Sequence, residues 1–118
     1  MVTRGVDILA SNRNASKSAT IQVKTNSGHQ SHWILTKKSE DFHALRLFYV
    51  FVHLGTLSGH PEFHIVPSKV VAKYITESHA NWLKTPGKQG QAHRDNNMRK
   101  FDIAGSKYLG RWDMLGLG

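Results

Sequence analysis

Ala19-Thr20-Ile21-Gln22-Val23-Lys24-Thr25 alternates apolar and polar residues, the period-two pattern of a strand with one face turned to a core. Ile21 and Val23 are expected on the buried face, with Thr20, Gln22 and Lys24 together on the other. Upstream, Val6-Asp7-Ile8-Leu9-Ala10 is a second short apolar run, in which a carboxylate is costly unless it finds a partner. Between the two lies Ser11-Asn12-Arg13-Asn14-Ala15-Ser16-Lys17-Ser18, polar and rich in turn formers. The runs predict a β-hairpin with a loose loop, whose ends bring Asp7 near Gln22 and Lys24.

An Asp on one strand and an acid-x-Lys tripeptide on the next resembles the site of the PD-(D/E)xK nuclease superfamily. Gly5-Val6-Asp7 stands where that family has its PD or GxD, and Gln22-Val23-Lys24 where it has (D/E)xK. The resemblance spans roughly residues 4–83 and implies a restriction-endonuclease-like α/β (α+β) fold, a mixed central sheet with flanking helices. It also implies metal-dependent hydrolysis of nucleic-acid phosphodiesters, with Asp7, Gln22 and Lys24 as catalytic residues. Mg²⁺ or Mn²⁺ would be held by Asp7, the amide oxygen of Gln22 and the carbonyl of Val23. Such an ion polarises the phosphoryl oxygen and lowers the pKa of an attacking water. Lys24 would orient that water or balance charge in the transition state.

Two departures shape the expectation. Position 22 is Gln, which is neutral, so cation binding is expected to be weak. Only six residues precede Asp7, which leaves no room for the helix that leads the family and often supplies a Glu. The chain is therefore expected to be an early-truncated member or a fragment. The alternative is a member of the fold that binds nucleic acid, or a protein partner, without cutting. The plainer reading of the same residues is a structural Asp–Lys pair across a hairpin.

Charge points the same way. Sixteen Lys and Arg face eight Asp and Glu, a formal charge of +8, which favours a polyanion: nucleic acid first, DNA before RNA, and anionic membrane second. The basic residues are spread rather than clustered, which suits contact with a phosphate backbone better than base readout. Arg13 and Lys17 in the hairpin loop, with Lys37 and Lys38 further on, are expected to flank the site. A homodimer is compatible with this picture. There is no cysteine and no apolar run near the ~20 residues of a membrane span, so a cytoplasmic chain is expected. Eight histidines include the pairs His29/His32 and His60/His64, but no His-Glu-x-x-His pattern supports a zinc site.

Along the rest of the chain, Trp33-Ile34-Leu35-Thr36 predicts a third strand that closes an antiparallel meander. Ser39 is a candidate cap for a short helix ending near Arg46. Phe48-Tyr49-Val50-Phe51-Val52 lacks alternation, the mark of a central strand buried on both faces. Phe63 to Val66 predicts its neighbour. Ser68 is the expected cap of a helix over 69–83, with Val71, Tyr74, Ile75, Ser78 and Trp82 as its buried stripe. Residues 98–103 can be read as helix or strand, and the aromatic tail, 108–115, as a short helix against the sheet. Trp33, Trp82 and Trp112 are all expected in the core. One domain, 1–118, accounts for the whole chain.

Overall fold

The computed structural model describes residues 7–103 and 105–117, so Arg4 and the Gly5-Val6 half of the first motif lie outside the described residues. The hairpin forms where the alternation predicts it. β1 (Ile8–Ser11) and β2 (Ser18–Asn26) pair antiparallel, with Ile8 opposite Ile21. The loop is not loose: the Asn12 amide donates to the Lys17 carbonyl, its side-chain amide donates to Ser16 Oγ and its Oδ1 accepts the Lys17 amide.

β3 (His32–Thr36) does not close a meander. β4 (Leu47–His53) lies parallel to β2 on one side, and β1 pairs with the first four residues of β2 on the other. Instead β3 pairs antiparallel with β6 (Met98–Asp102), Trp33 opposite Phe101, in a second sheet. That pairing settles the ambiguous segment as a strand. β5 (Glu62–Pro67) completes the larger, mixed sheet, whose order is β1-β2-β4-β5. The loop that links β4 to β5 passes so close to the β2–β3 turn that a Cβ on Gly55 would stand 2.1 Å from the carbonyl oxygen of Gly28. No residue but glycine fits there without moving backbone.

The short helix expected from Ser39 to Arg46 is absent. A 3₁₀ turn, Lys37–Glu40, takes its place, with Ser39 inside it and not at its cap. Past Glu40 the chain runs irregularly to Arg46, whose φ of 75° lies in the left-handed region, where no right-handed helix continues. α1 (Ser68–Lys84) forms as predicted, but Ser68 does not cap it. The buried Ser68 hydroxyl donates to the carbonyl of Ala44 and accepts the Ala44 amide, both at 3.1 Å, tying the irregular segment to the helix start. Val71, Ala72 and Ile75 form the buried stripe, whereas Tyr74, Ser78 and Trp82 stay largely at the surface.

β4 lacks alternation because both of its faces are covered. On one side Tyr49, Phe51 and Val66 pack against Trp33, Leu35 and Phe101 of the second sheet and Val71 and Ile75 of α1. Phe51 is fully buried there, stacked between Tyr49 at 5.3 Å and Phe101 at 4.7 Å. On the other side Ala19, Ile21, Phe48, Val50 and Ile65 lie beneath Leu115, with Met114 and Leu117 beside it. The 3₁₀ turn Trp112–Leu115 is the short helix expected of the tail. Two contacts hold the tail down: Tyr108 to Gly110 bonds along the outer edge of β5, and Arg46 Nη2 donates to the Leu115 carbonyl at 2.5 Å. The whole is a mixed α+β architecture, and among the described residues no helix is long and apolar enough to cross a membrane.

Replacing Phe51 by Ala should therefore cost about 3–5 kcal/mol, enough to unfold a marginal domain. Lys73→Ala, on the exposed side of α1, should be near neutral. Denaturant titration of the two variants measures both, and equal effects would overturn this assignment of the core.

Candidate nucleic-acid interface

Strand periodicity decides where Gln22 and Lys24 point. They alternate with Ile21 and Val23 and stand in register with Tyr49 and Phe51, so they share the sheet face that carries α1 and the second sheet. Both are half-buried. The Gln22 amide oxygen is buried and accepts no hydrogen bond from the described residues. A carbonyl oxygen in that position is costly unless a donor or a cation reaches it.

Asp7 precedes β1 directly, with its backbone amide donating to Ile21 O at 3.0 Å. Its side chain also has a backbone partner: Oδ2 accepts the Val23 amide at 2.8 Å. The carboxylate is exposed and prolongs the β1–β2 ladder by one bond from a side chain. Asp7 thus stands beside residues 22 and 23 at the open end of the hairpin. No Asp7–Lys24 ion pair is present among the described residues, which removes the plainest structural account of the lysine.

Hard divalent cations take six or more oxygens. Here Asp7 Oδ1, Gln22 Oε1 and the Val23 carbonyl are the oxygens that Mg²⁺ or Mn²⁺ would use. Gln22 Oε1 suits such an ion because it lacks another partner. Among the described residues no three His, Asp or Glu side chains converge. Charge at the site is therefore low, with Asp7 as the one carboxylate of the set.

Lys24 opens onto a polar cleft of about 410 Å³, lined also by Asn26, Gln30, His32 and Ile34. Asn26 builds this corner: its Nδ2 donates to the carbonyls of Gln30 and His32, and its Oδ1 accepts the Gly28 amide. Residues 26–32 read as a turn in the sequence. Their Asn, Gln and His content, directly after a strand bearing a lysine, was the available signal for a polar cleft.

The other basic residues do not all flank this end. Lys17 adjoins the start of β2, and seven residues of strand at about 3.3 Å each put it roughly 20 Å from Lys24. Arg13 shares that loop. Lys37 and Lys38 lie in the 3₁₀ turn after β3, exposed. Two other cations have carboxylate partners. Arg99 is buried and donates to Glu40 at 2.5 Å, and Arg111 pairs with Asp113 at 2.9 Å. That contact holds the Asp113 carboxyl below its usual range. Trp33 is in the core, but Trp82 and Trp112 are not: they are 38% and 48% exposed.

The histidines serve mostly as clamps. His29 Nδ1 meets Gly55 O at 2.9 Å and His53 Nε2 meets Gly28 O at 3.0 Å, so each reaches across the tight glycine contact to the opposite loop. His79 Nε2 bonds Asp95 Oδ1 at 2.8 Å, and that hydrogen bond, with one from the Asn96 amide, lowers the Asp95 pKa. His64 is buried beside Trp33, with Nδ1 unpartnered. Compared with family models, curated proteins and solved structures, the chain matches none.

Burial pushes the His64 pKa below its ordinary 6.5, because the charged ring is poorly solvated. A depressed folded-state value means that the unfolded chain binds the proton first. The stability from neutral His64 is present above 6.5 and is lost as pH falls through the folded value. Thermal unfolding followed from neutral to mildly acid pH should show this loss, and His64→Leu should flatten the slope. An unchanged slope in the variant would place the pH dependence elsewhere.

Proposed function

We propose that this chain binds nucleic acid through its phosphate backbone. One observation carries the reading: Arg13, Lys17, Lys24, Lys37 and Lys38 have no carboxylate within ion-pair distance among the described residues. The excess of +8 is thus displayed and not neutralised internally. Unpaired cations on several elements favour contact with a regularly spaced polyanion over recognition of a small anion. Base edges play no part in such contacts, so the binding is largely blind to sequence.

A second reading, metal-dependent phosphodiester cleavage at Asp7, Gln22 and Lys24, is favoured by the unpartnered Gln22 oxygen. Bound there, a divalent ion would supply Lewis acidity. Asp7 and Gln22 would hold it, and Lys24 would face the phosphate from the same strand.

Two measurements test these readings. If about four to six phosphates are contacted, log affinity should fall with log salt at a slope of about −4 to −5. Affinity that hardly changes between low and moderate salt would overturn the polyanion reading. For the second, Mn²⁺ titration should show weak binding, at the ~millimolar level of low-charge oxygen sites. Asp7→Asn should abolish it and Gln22→Glu should tighten it. Lys24→Ala should spare cation binding while removing cleavage of plasmid DNA. If Asp7→Asn binds as well as the wild type and Gln22→Glu gains nothing, the hairpin end is structural only.

A further inference from the structure

The outward side of the second sheet is unlike the rest of the surface. Along β3 and β6 the residues that turn away from Trp33 and Phe101 are His32, Ile34 and Thr36 with Met98, Lys100 and Asp102, the last a carboxylate that accepts the Ser31 hydroxyl at 2.8 Å. Ile34 is 53% and Met98 58% exposed, apolar side chains on a sheet face that nothing among the described residues covers. Ile34 stands opposite Lys100, and the two belong to different depressions. Ile34 lines the polar cleft of Lys24 and His32. Met98 and Lys100 line a second cleft of about 210 Å³ between β6 and the C-terminal half of α1, with Ser78, His79 and Trp82 on its far wall. The two strands therefore join the cleft of Lys24 to that of Trp82 in one continuous surface.

The second cleft has the chemistry of a nucleobase site. Trp82 is held by two rings, His93 stacked on it at 4.1 Å and 20° and His79 at 5.5 Å and 27°, and 38% of its surface remains exposed, part of it towards the cleft. Met98 supplies a polarisable thioether. Asn96 also lines the cleft, and because its Oδ1 accepts the Met98 amide, its NH₂ group is left to donate. The Ser78 hydroxyl and the Lys100 ammonium are further donors. No carboxylate lines the cleft, and nearby Asp95 is engaged by His79. At this volume, below the 300–1,000 Å³ common for drug-sized ligands, one ring system enters and the rest of the molecule stays outside.

We infer that the outer face of β3 and β6 is a track for single-stranded nucleic acid, with one base seated against Trp82 and the backbone passing Lys100 towards Lys24. This rests on the nucleic-acid reading above and narrows it to a class: a duplex keeps its bases stacked inside and cannot offer one to the cleft, whereas a single strand can.

The test is fluorescence anisotropy at low salt with three labelled probes of equal length: an oligothymidylate, its abasic counterpart and a duplex. Aromatic stacking of one base corresponds to roughly tenfold in affinity. Wild type should bind the oligothymidylate about tenfold more tightly than the abasic strand, and more tightly than the duplex. Trp82→Ala should bring the two single strands to equal affinity, with its fold checked by circular dichroism. The abasic comparison on the wild type decides the matter even if that variant does not fold. Equal wild-type affinity for the base-bearing and abasic strands, with a steep salt dependence, would overturn the track and leave backbone binding standing. No binding to any probe would overturn both.

Discussion

Burying β4 on both faces is the constraint to which everything else in this fold answers. A strand as apolar as Leu47 to Val52 has no wet side, so the sheet needs two covers. One is substantial, made by α1 together with β3 and β6. The other is only the last turn of the chain, with Leu115 at its centre. So slight a cover has to be fastened, and Arg46 does this from the residue before β4. Its guanidinium donates to the carbonyls of Ser18 and Leu115, and its own carbonyl accepts the Thr20 amide. A left-handed backbone at a non-glycine residue carries a cost, which these bonds offset.

What the sequence disclosed follows from how local each signal is. The hairpin, β4, β5 and α1 are legible because each depends on periodicity or composition within a few residues. β3 is legible as a strand but not in its partner, since pairing with β6 depends on which sheet edges remain free, and that is a property of the whole chain. Ser68 looks like a cap by position. Its hydroxyl is instead claimed by Ala44, a neighbour no local rule names. Arg99 looks like surface charge, yet it is buried against Glu40.

The candidate site divides along the same line. That Asp7 meets residues 22 and 23 follows from hairpin register, which alternation and turn chemistry specify. That its carboxylate holds the Val23 amide, and that Gln22 keeps an unpartnered oxygen, are matters of side-chain geometry a sequence does not contain. Trp82 shows the limit most clearly. Helical period assigns it to the buried stripe, yet burial along α1 ends with Ile75 and Trp82 stays 38% exposed.

The pairing of β3 with β6 also has a consequence in time. Ser31 bonds Asp102 across 71 positions of chain, and β4 and β5, which lie between β3 and β6 in sequence order, belong to the larger sheet. Contacts of such span are slow to form, because the ordering of the intervening chain comes before their reward. During synthesis Trp33 and Leu35 emerge long before Phe101, the residue that shelters them. For that interval the nascent chain carries an apolar strand without a mate, and a chaperone that recognises extended hydrophobic segments would find its clearest target there.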